Sequence, residues 1–180
     1  MASVVRKRVG LAVAATLAAL TIQGIAAQGA ATKKDQPPPP PPKAAPAHVV
    51  ALPDKIQWGP GPPSLPPGAQ AAVLDGDPTK PGLFVIRVKF PDGYRVPPHL
   101  HPTDEHVVIL AGTLMAGMGA KADDAAMQAL VAGSYVKMPR KMNHYVRAKG
   151  ETILQITAMG PFEVTYANPQ DDPRKKTSSQ

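Results

Sequence analysis

Four side chains stand at spacings that suit a metal ion: His99, His101, Glu105 and His144. Imidazole is a borderline nitrogen donor and carboxylate a hard anion, so three of the first and one of the second suit a divalent transition metal. His99 and His101 are two residues apart, and in an extended chain both point to one face. Glu105 shares that parity, although Pro102-Thr103-Asp104 can bend the path between them. Val107 and Ile109 continue the face as the inside of a barrel would. A hairpin carrying His144 would bring it beside the first three if the two strand sets face each other. His106 has the opposite parity and is expected to face outward in a structural role. His48, in the linker, is assigned no role. Tyr94, Arg95, Met138, Arg140 and Tyr145 flank the four groups and are read as packing or surface, with a substrate mouth as the alternative.

The elements that must position these groups read as short strands. Leu83–Phe90 alternates, with Phe84, Ile86, Val88 and Phe90 on one face and Arg87 and Lys89 on the other, as in a half-buried strand. Pro91-Asp92-Gly93 is a turn. Further strands are expected over 71–74, 105–111, 113–118, 134–138, 144–148, 152–158 and 162–166, with Gly or Pro in nearly every gap. Ala122–Leu130 suits a short helix or a loop. Seven or eight short strands with regular turns imply an all-β sandwich or barrel. There is no βαβ rhythm, no Gly-rich phosphate loop and no clear internal repeat.

The 180-residue chain has room for one ordinary domain plus flanks. It has no cysteine, which excludes disulfide scaffolds, Cys-ligated zinc, iron–sulfur clusters and thiol catalysis. The net charge of +7 belongs to the flanks: residues 6–8 supply +3, residues 33–43 supply +2 and the tail after Asn168 supplies +1, leaving +1 for 48–168. A nearly neutral domain offers no electrostatic footprint for nucleic acid, so none is expected as a partner.

Met1–Arg8 is short and basic, Val9–Ile22 is largely apolar, and small residues cluster over 24–31. This is the layout of a secretory signal peptide, with cleavage between Ala26 and Ala30. The alternative is an uncleaved membrane anchor, since residues 9–32 carry no charge. In either case the rest is exported, to the periplasm in a two-membrane bacterium. Thirteen of the 23 prolines lie between Pro37 and Pro67. Pro37–Pro42 imposes polyproline II and stands off roughly 20 Å as a stiff spacer. The expected organisation is therefore a signal segment at 1–30, a Pro-rich linker at 31–47 and a Pro/Gly-rich arm at 48–70. A barrel follows at 71–168, then a tail at 169–180. Trp58 lies in the arm, which is expected to wrap the barrel or a partner subunit.

Two segments carry a family resemblance. GYRVPPHLHPTDEHVVILAG, from Gly93 to Gly112, resembles the first cupin motif, G-x5-H-x-H-x3-E-x6-G, at every specified position. Residues 133–148 resemble the second, G-x5-P-x-G-x2-H-x3-N, with Lys141 in place of the glycine and Ala148 in place of the asparagine. A non-glycine at 141 would resist positive φ; the change at 148 removes a polar side chain but no ligand. The resemblance spans about residues 71–166. It implies a single-domain cupin: a double-stranded β-helix, or jelly roll, with a metal inside the barrel near one mouth. Carried over, the ligands are His99, His101, Glu105 and His144. The cofactor is then a divalent Fe, Mn, Zn or Ni ion, with two positions left open. One carboxylate on M²⁺ leaves a formal +1, which favours an anionic or chelating oxygen ligand.

Two function classes follow. One is a small metal-dependent enzyme of dioxygenase, isomerase or lyase type, acting on an oxygen-rich or enolisable compound, with Glu105 as ligand or as general base. The other is a non-catalytic module that binds or senses a small molecule or metal on its Pro-rich tether. A homodimer is expected as one assembly, and membrane contact only if the N-terminal segment stays uncleaved. With three histidine ligands, metal affinity is expected to fall below about pH 6.5.

Overall fold

A computed structural model describes residues 48–176. The expected signal segment, the Pro-rich linker and the end of the tail lie outside the described residues. Nine strands are present among those described: β1 Gly59–Pro60, β2 Gln70–Asp75, β3 Gly82–Phe90, β4 Arg95–Leu100, β5 Glu105–Met118, β6 Gln128–Val131, β7 Tyr135–Met138, β8 His144–Gly160 and β9 Thr165–Tyr166. All pair antiparallel, in the order β1-β2-β3-β8-β4-β9, with β5 beside β8 and carrying β6 and β7. This is an all-β barrel, as the strand pattern implies, in the jelly-roll form that the cupin resemblance implies.

Two long strands organise the barrel. The first half of β5 pairs with the last half of β8, from Glu105↔Ala158 to Ile109↔Leu154. Its second half pairs with the first half of β8, ending at Met118↔His144. The sequence reading splits each of these strands in two, because it takes Gly112 and Gly150 as ends. Gly112 is instead a bend within β5, at φ +75°, and a Cβ there would lie 2.2 Å from the Glu151 carbonyl oxygen of the neighbouring strand. Only glycine permits that approach, and the register shifts on either side of Ala111 mark the bend. The fold thus wraps over its own core without breaking the β5–β8 ladder.

In β3 the alternation holds, with Phe84, Ile86, Val88 and Phe90 buried. They meet Val96, Val107, Ile109, Leu114, Leu154 and Ile156 from the facing strands. Strand β4 is absent from the sequence reading, because Pro97-Pro98 removes two ladder donors. The strand forms nonetheless with a register shift between Val96 and His99, and it returns to pairing at His99↔His144 and His99↔Tyr166. Ala122–Leu130 is a 3-10 turn at Asp124–Ala126 followed by β6.

The arm closes the side of the barrel. Gly61 N donates to Ala69 O at 2.8 Å, and Lys89 Nζ lies 4.5 Å from the Trp58 ring centre. The Tyr166 hydroxyl of β9 donates to Ser64 O at 2.7 Å, and the Tyr94 hydroxyl ahead of β4 donates to Pro66 O. One short segment thereby joins the β2 edge to the β4–β9 edge, and both hydroxyls are satisfied by its backbone carbonyls.

Candidate metal centre

The β4–β8 register places His99 directly opposite His144, with ring centres 4.3 Å apart. His101 follows β4 by one residue, 5.0 Å from His99 and 5.2 Å from His144 by ring centres. The ring nitrogens of all three can be chosen within 4.8 Å of one another. Glu105 opens β5, and its Oε2 lies 3.5 Å from His101 Nε2 and 3.4 Å from His144 Nε2. All four residues are buried, none more than 7 % exposed. The structure therefore brings together the four groups singled out in the sequence: a tight three-histidine cluster with a carboxylate beside two of its members.

Each imidazole is oriented through its other nitrogen. His99 Nδ1 meets Pro97 O at 2.7 Å, His101 Nδ1 meets Glu163 O at 2.7 Å, and His144 Nδ1 meets Met142 O at 3.1 Å. A carbonyl only accepts, so the Nδ1 atoms carry the protons, and each neutral ring keeps its lone pair on Nε2. Two of these lone pairs then face the Glu105 carboxylate at under 3.6 Å with no hydrogen between them. Acceptors converging on acceptors in a buried site repel unless a cation stands among them. The donor set thus fits a divalent ion of borderline type, held by three imidazoles with a carboxylate in reach. Second-nitrogen anchoring of this kind is what fixes metal-binding histidines in general.

The electrostatics agree. Burial pushes His99 down to about 3, and the nearby His144 and His101 rings push the same way. Burial also lowers His101, against the opposing pull of Glu105 and of the Glu163 carbonyl. Burial alone would raise Glu105. Whenever the rings are protonated, a hydrogen bond from His144 and the charge of His101, His144 and His99 outweigh it and hold the carboxyl below its usual range. The site favours neutral rings at His99 and His101 and an anionic Glu105. The expected onset of proton competition near pH 6.5 accordingly moves lower for His99 and His101.

The turn carrying His144 answers the question raised by Lys141. Lys141 takes φ +59°, the glycine-like conformation, and its N–H donates to His101 O at 2.8 Å. The left-handed backbone is held by that bond across the two histidine-bearing segments, at a cost of about 1 kcal/mol for a non-glycine residue. Lys141→Gly is expected to stabilise the protein by about 1 kcal/mol, read as a rise in the denaturant midpoint with an unchanged slope. A lower midpoint would contradict the strain. Ala148 is buried in the ladder between Leu114 and Tyr94, where an asparagine side chain would need partners.

A cavity of about 300 Å³ opens beside the cluster, and His99, His101, Glu105 and His144 line one part of it. Of the five flanking residues, only Met138 lines this cavity. Tyr94 binds the arm, Arg95 pairs with Asp124, the Tyr145 hydroxyl donates to Asp123 O, and Arg140 is exposed. His106 lies on the opposite face of β5, with Nδ1 2.7 Å from the Tyr135 hydroxyl, and His48 is exposed. Phe162 was missed as a site residue: its ring stacks on His101 at 4.1 Å and 18°. Missed as well were the contributions of Pro62–Leu65, Pro78, Thr79 and Arg174 to the cavity. Nothing in their local sequence marks them, since chain segments far apart bring them together.

Residues 50–176 match the family described as "Domain of unknown function (DUF4437)". Among curated proteins, none matches the chain. Solved structures similar to it include a candidate acetylacetone dioxygenase from Methylibium petroleiphilum PM1, with 17 % identity and TM-score 0.56, covering 73 % of this chain and 88 % of that one. The polyketide cyclase RemF from Streptomyces resistomycificus has 14 % identity and TM-score 0.55, over 73 % and 94 % of the two chains. An RmlC-like cupin from Shewanella frigidimarina NCIMB 400 has 15 % identity and TM-score 0.48, over 63 % and 91 %.

Proposed function

The chain belongs to the DUF4437 family and carries the cupin fold, and on that premise we propose that it is a metal-binding barrel whose ion meets a small enolisable molecule in the cavity. The observation that carries this reading is the convergence of three proton-free Nε2 atoms and the Glu105 carboxylate in one buried site. His99, His101 and His144 would hold the ion, with Glu105 as fourth ligand or as a proton acceptor beside it. A bound divalent ion supplies Lewis acidity toward an oxygen of the ligand. The chain's own residues do the rest. The backbone carbonyls of Pro97, Glu163 and Met142 keep the imidazoles aimed. Phe162 holds the His101 ring plane. Glu105, when ionised, can take a proton from a carbon next to a carbonyl and hold it as a neutral carboxyl. Dioxygenase, isomerase and lyase chemistry are all compatible with that arrangement, and Fe, Mn, Zn and Ni with the donor set.

The sequence of residues 1–47 supports export on a Pro-rich tether, with a periplasmic destination. The near neutrality of 48–168 supports small-molecule rather than nucleic-acid partners.

The test is titration of chelator-treated protein with cobalt(II), followed by its visible absorption. One ion per chain is expected in the wild type. Glu105→Gln, which keeps the shape and removes the charge, should weaken binding by more than 10-fold. Failure of the wild type to take up Co, Mn, Fe, Ni or Zn at micromolar concentration would overturn the reading.

A further inference from the structure

Beyond the His/Glu cluster the cavity is lined mainly by apolar side chains. Its ladder register shows how the rest is built. Glu105 pairs with Ala158, which pairs with Phe84. Two residues along, Val107, Ile156 and Ile86 form the next rung, and Ile109, Leu154 and Val88 the one after. At strand rise, the Val88–Leu154 rung lies about 13 Å from the rung of Glu105. Val88, Leu154, Ile86, Ile156, Phe90 and Leu114 all line the cavity and are buried. None has a side-chain donor or acceptor. The buried Thr152, in Phe90's rung, is not among the lining residues, and its hydroxyl lies 3.1 Å from both Thr113 O and Gly150 O, to one of which it donates. The polar lining groups outside the His/Glu cluster are Ser64, Thr79 and Arg174, on the arm, the β2–β3 loop and the C-terminal segment. Arg174 is held by Asp172 through 2.8 Å contacts from Nε and Nη2.

We propose that the ligand is amphiphilic: a chelating or anionic oxygen head at the histidine–glutamate end and an unsubstituted hydrocarbon body of about three to five carbons along the Ile86–Val88–Leu154 wall. This rests on the metal-site reading above and narrows it. It selects apolar-bodied acids and enolisable ketones and rejects sugars and sugar acids. Each ligand hydroxyl carried past the Ile86–Ile156 rung would shed its water and find no partner, weakening binding at least about 5-fold. Each methylene placed there instead should strengthen it about 4-fold.

Three acids with the same 2-hydroxycarboxylate head separate the cases: lactate, 2-hydroxyhexanoate and gluconate. Each is titrated calorimetrically into the full chain loaded with cobalt(II), with the cobalt absorption reporting contact of the head. 2-Hydroxyhexanoate carries three more methylenes than lactate and is expected to bind about 50-fold more tightly. Gluconate, with the same six carbons, should bind at least 100-fold more weakly than 2-hydroxyhexanoate. Val88→Thr, which keeps the side-chain shape and exchanges a methyl for a hydroxyl at the far rung, should weaken 2-hydroxyhexanoate several-fold and leave lactate unchanged. A preference for 2-hydroxyhexanoate over lactate below 5-fold, gluconate binding as tightly as 2-hydroxyhexanoate, or no effect of Val88→Thr would overturn the inference while cobalt uptake left the metal site standing. Absence of cobalt uptake would instead overturn the metal site beneath it.

Discussion

Replacing His144 by alanine is expected to abolish metal retention, lowering affinity for a divalent ion by more than 100-fold, and His99→Ala should do the same. Changes to groups that merely orient a ligand cost about 10–100-fold, so loss of a ligand should exceed that range. The two rings face each other across the β4–β8 ladder, 4.3 Å apart, and removing either leaves only two imidazoles and the carboxylate. The fold should survive both changes. Each removes a buried ring whose Nε2 has no donor facing it, and the ladder around it depends on backbone bonds. His106→Ala is the control: it lies on the outer face against Tyr135, and its metal content should equal that of the wild type. Equal metal loss in His106→Ala would mean that the change acts through folding. Full retention in His144→Ala would remove His144 from the ligand set.

The chelated protein is expected to lose about 2 kcal/mol of stability between pH 7 and pH 5, a fall of roughly 5–10 °C in melting temperature. The source is His99. Burial holds its folded pKa at about 3, while the unfolded chain binds the proton near 6.5. Below 6.5 the unfolded state therefore carries more protons than the native one, and stability declines with falling pH until the folded pKa is reached. His101 is shifted in the same direction and adds to the loss. Glu105, held below its usual range, contributes with the same sign below about pH 4.5, where the unfolded carboxyl protonates first. Bound metal should raise stability at every pH by mass action without flattening the decline, because the unfolded imidazoles still take up protons below 6.5. Melting curves with and without chelator at pH 7, 6 and 5 check this. A chelated protein equally stable at all three would contradict the burial of neutral imidazoles.

The candidate ligands were legible because their chemistry is local. The two-residue spacing of His99 and His101 and the parity of Glu105 need only an extended chain to share a face. The alternation in β3 likewise gave its buried face directly. What could not be read depends on long-range contact. Strand β4 is masked by Pro97-Pro98, which pairing with β8 and β9 overrides by a bulge. Gly112 looks like a strand end, yet it is a bend that needs the Glu151 carbonyl alongside. Lys141 reads as a departure from the glycine its turn requires, and only the bond to His101 O shows why the turn persists. Phe162 stacks on His101 from 61 residues away, and the arm reaches the cavity through hydroxyls on Tyr94 and Tyr166. None of these contacts has a periodicity to betray it.

The most direct measurement is elemental analysis of the full-length protein, purified without added metal. About one iron, manganese, nickel or zinc ion per chain is expected, absent from His144→Ala. Less than a tenth of an ion per chain, unchanged after incubation with each metal, would contradict a metal centre at His99, His101, Glu105 and His144.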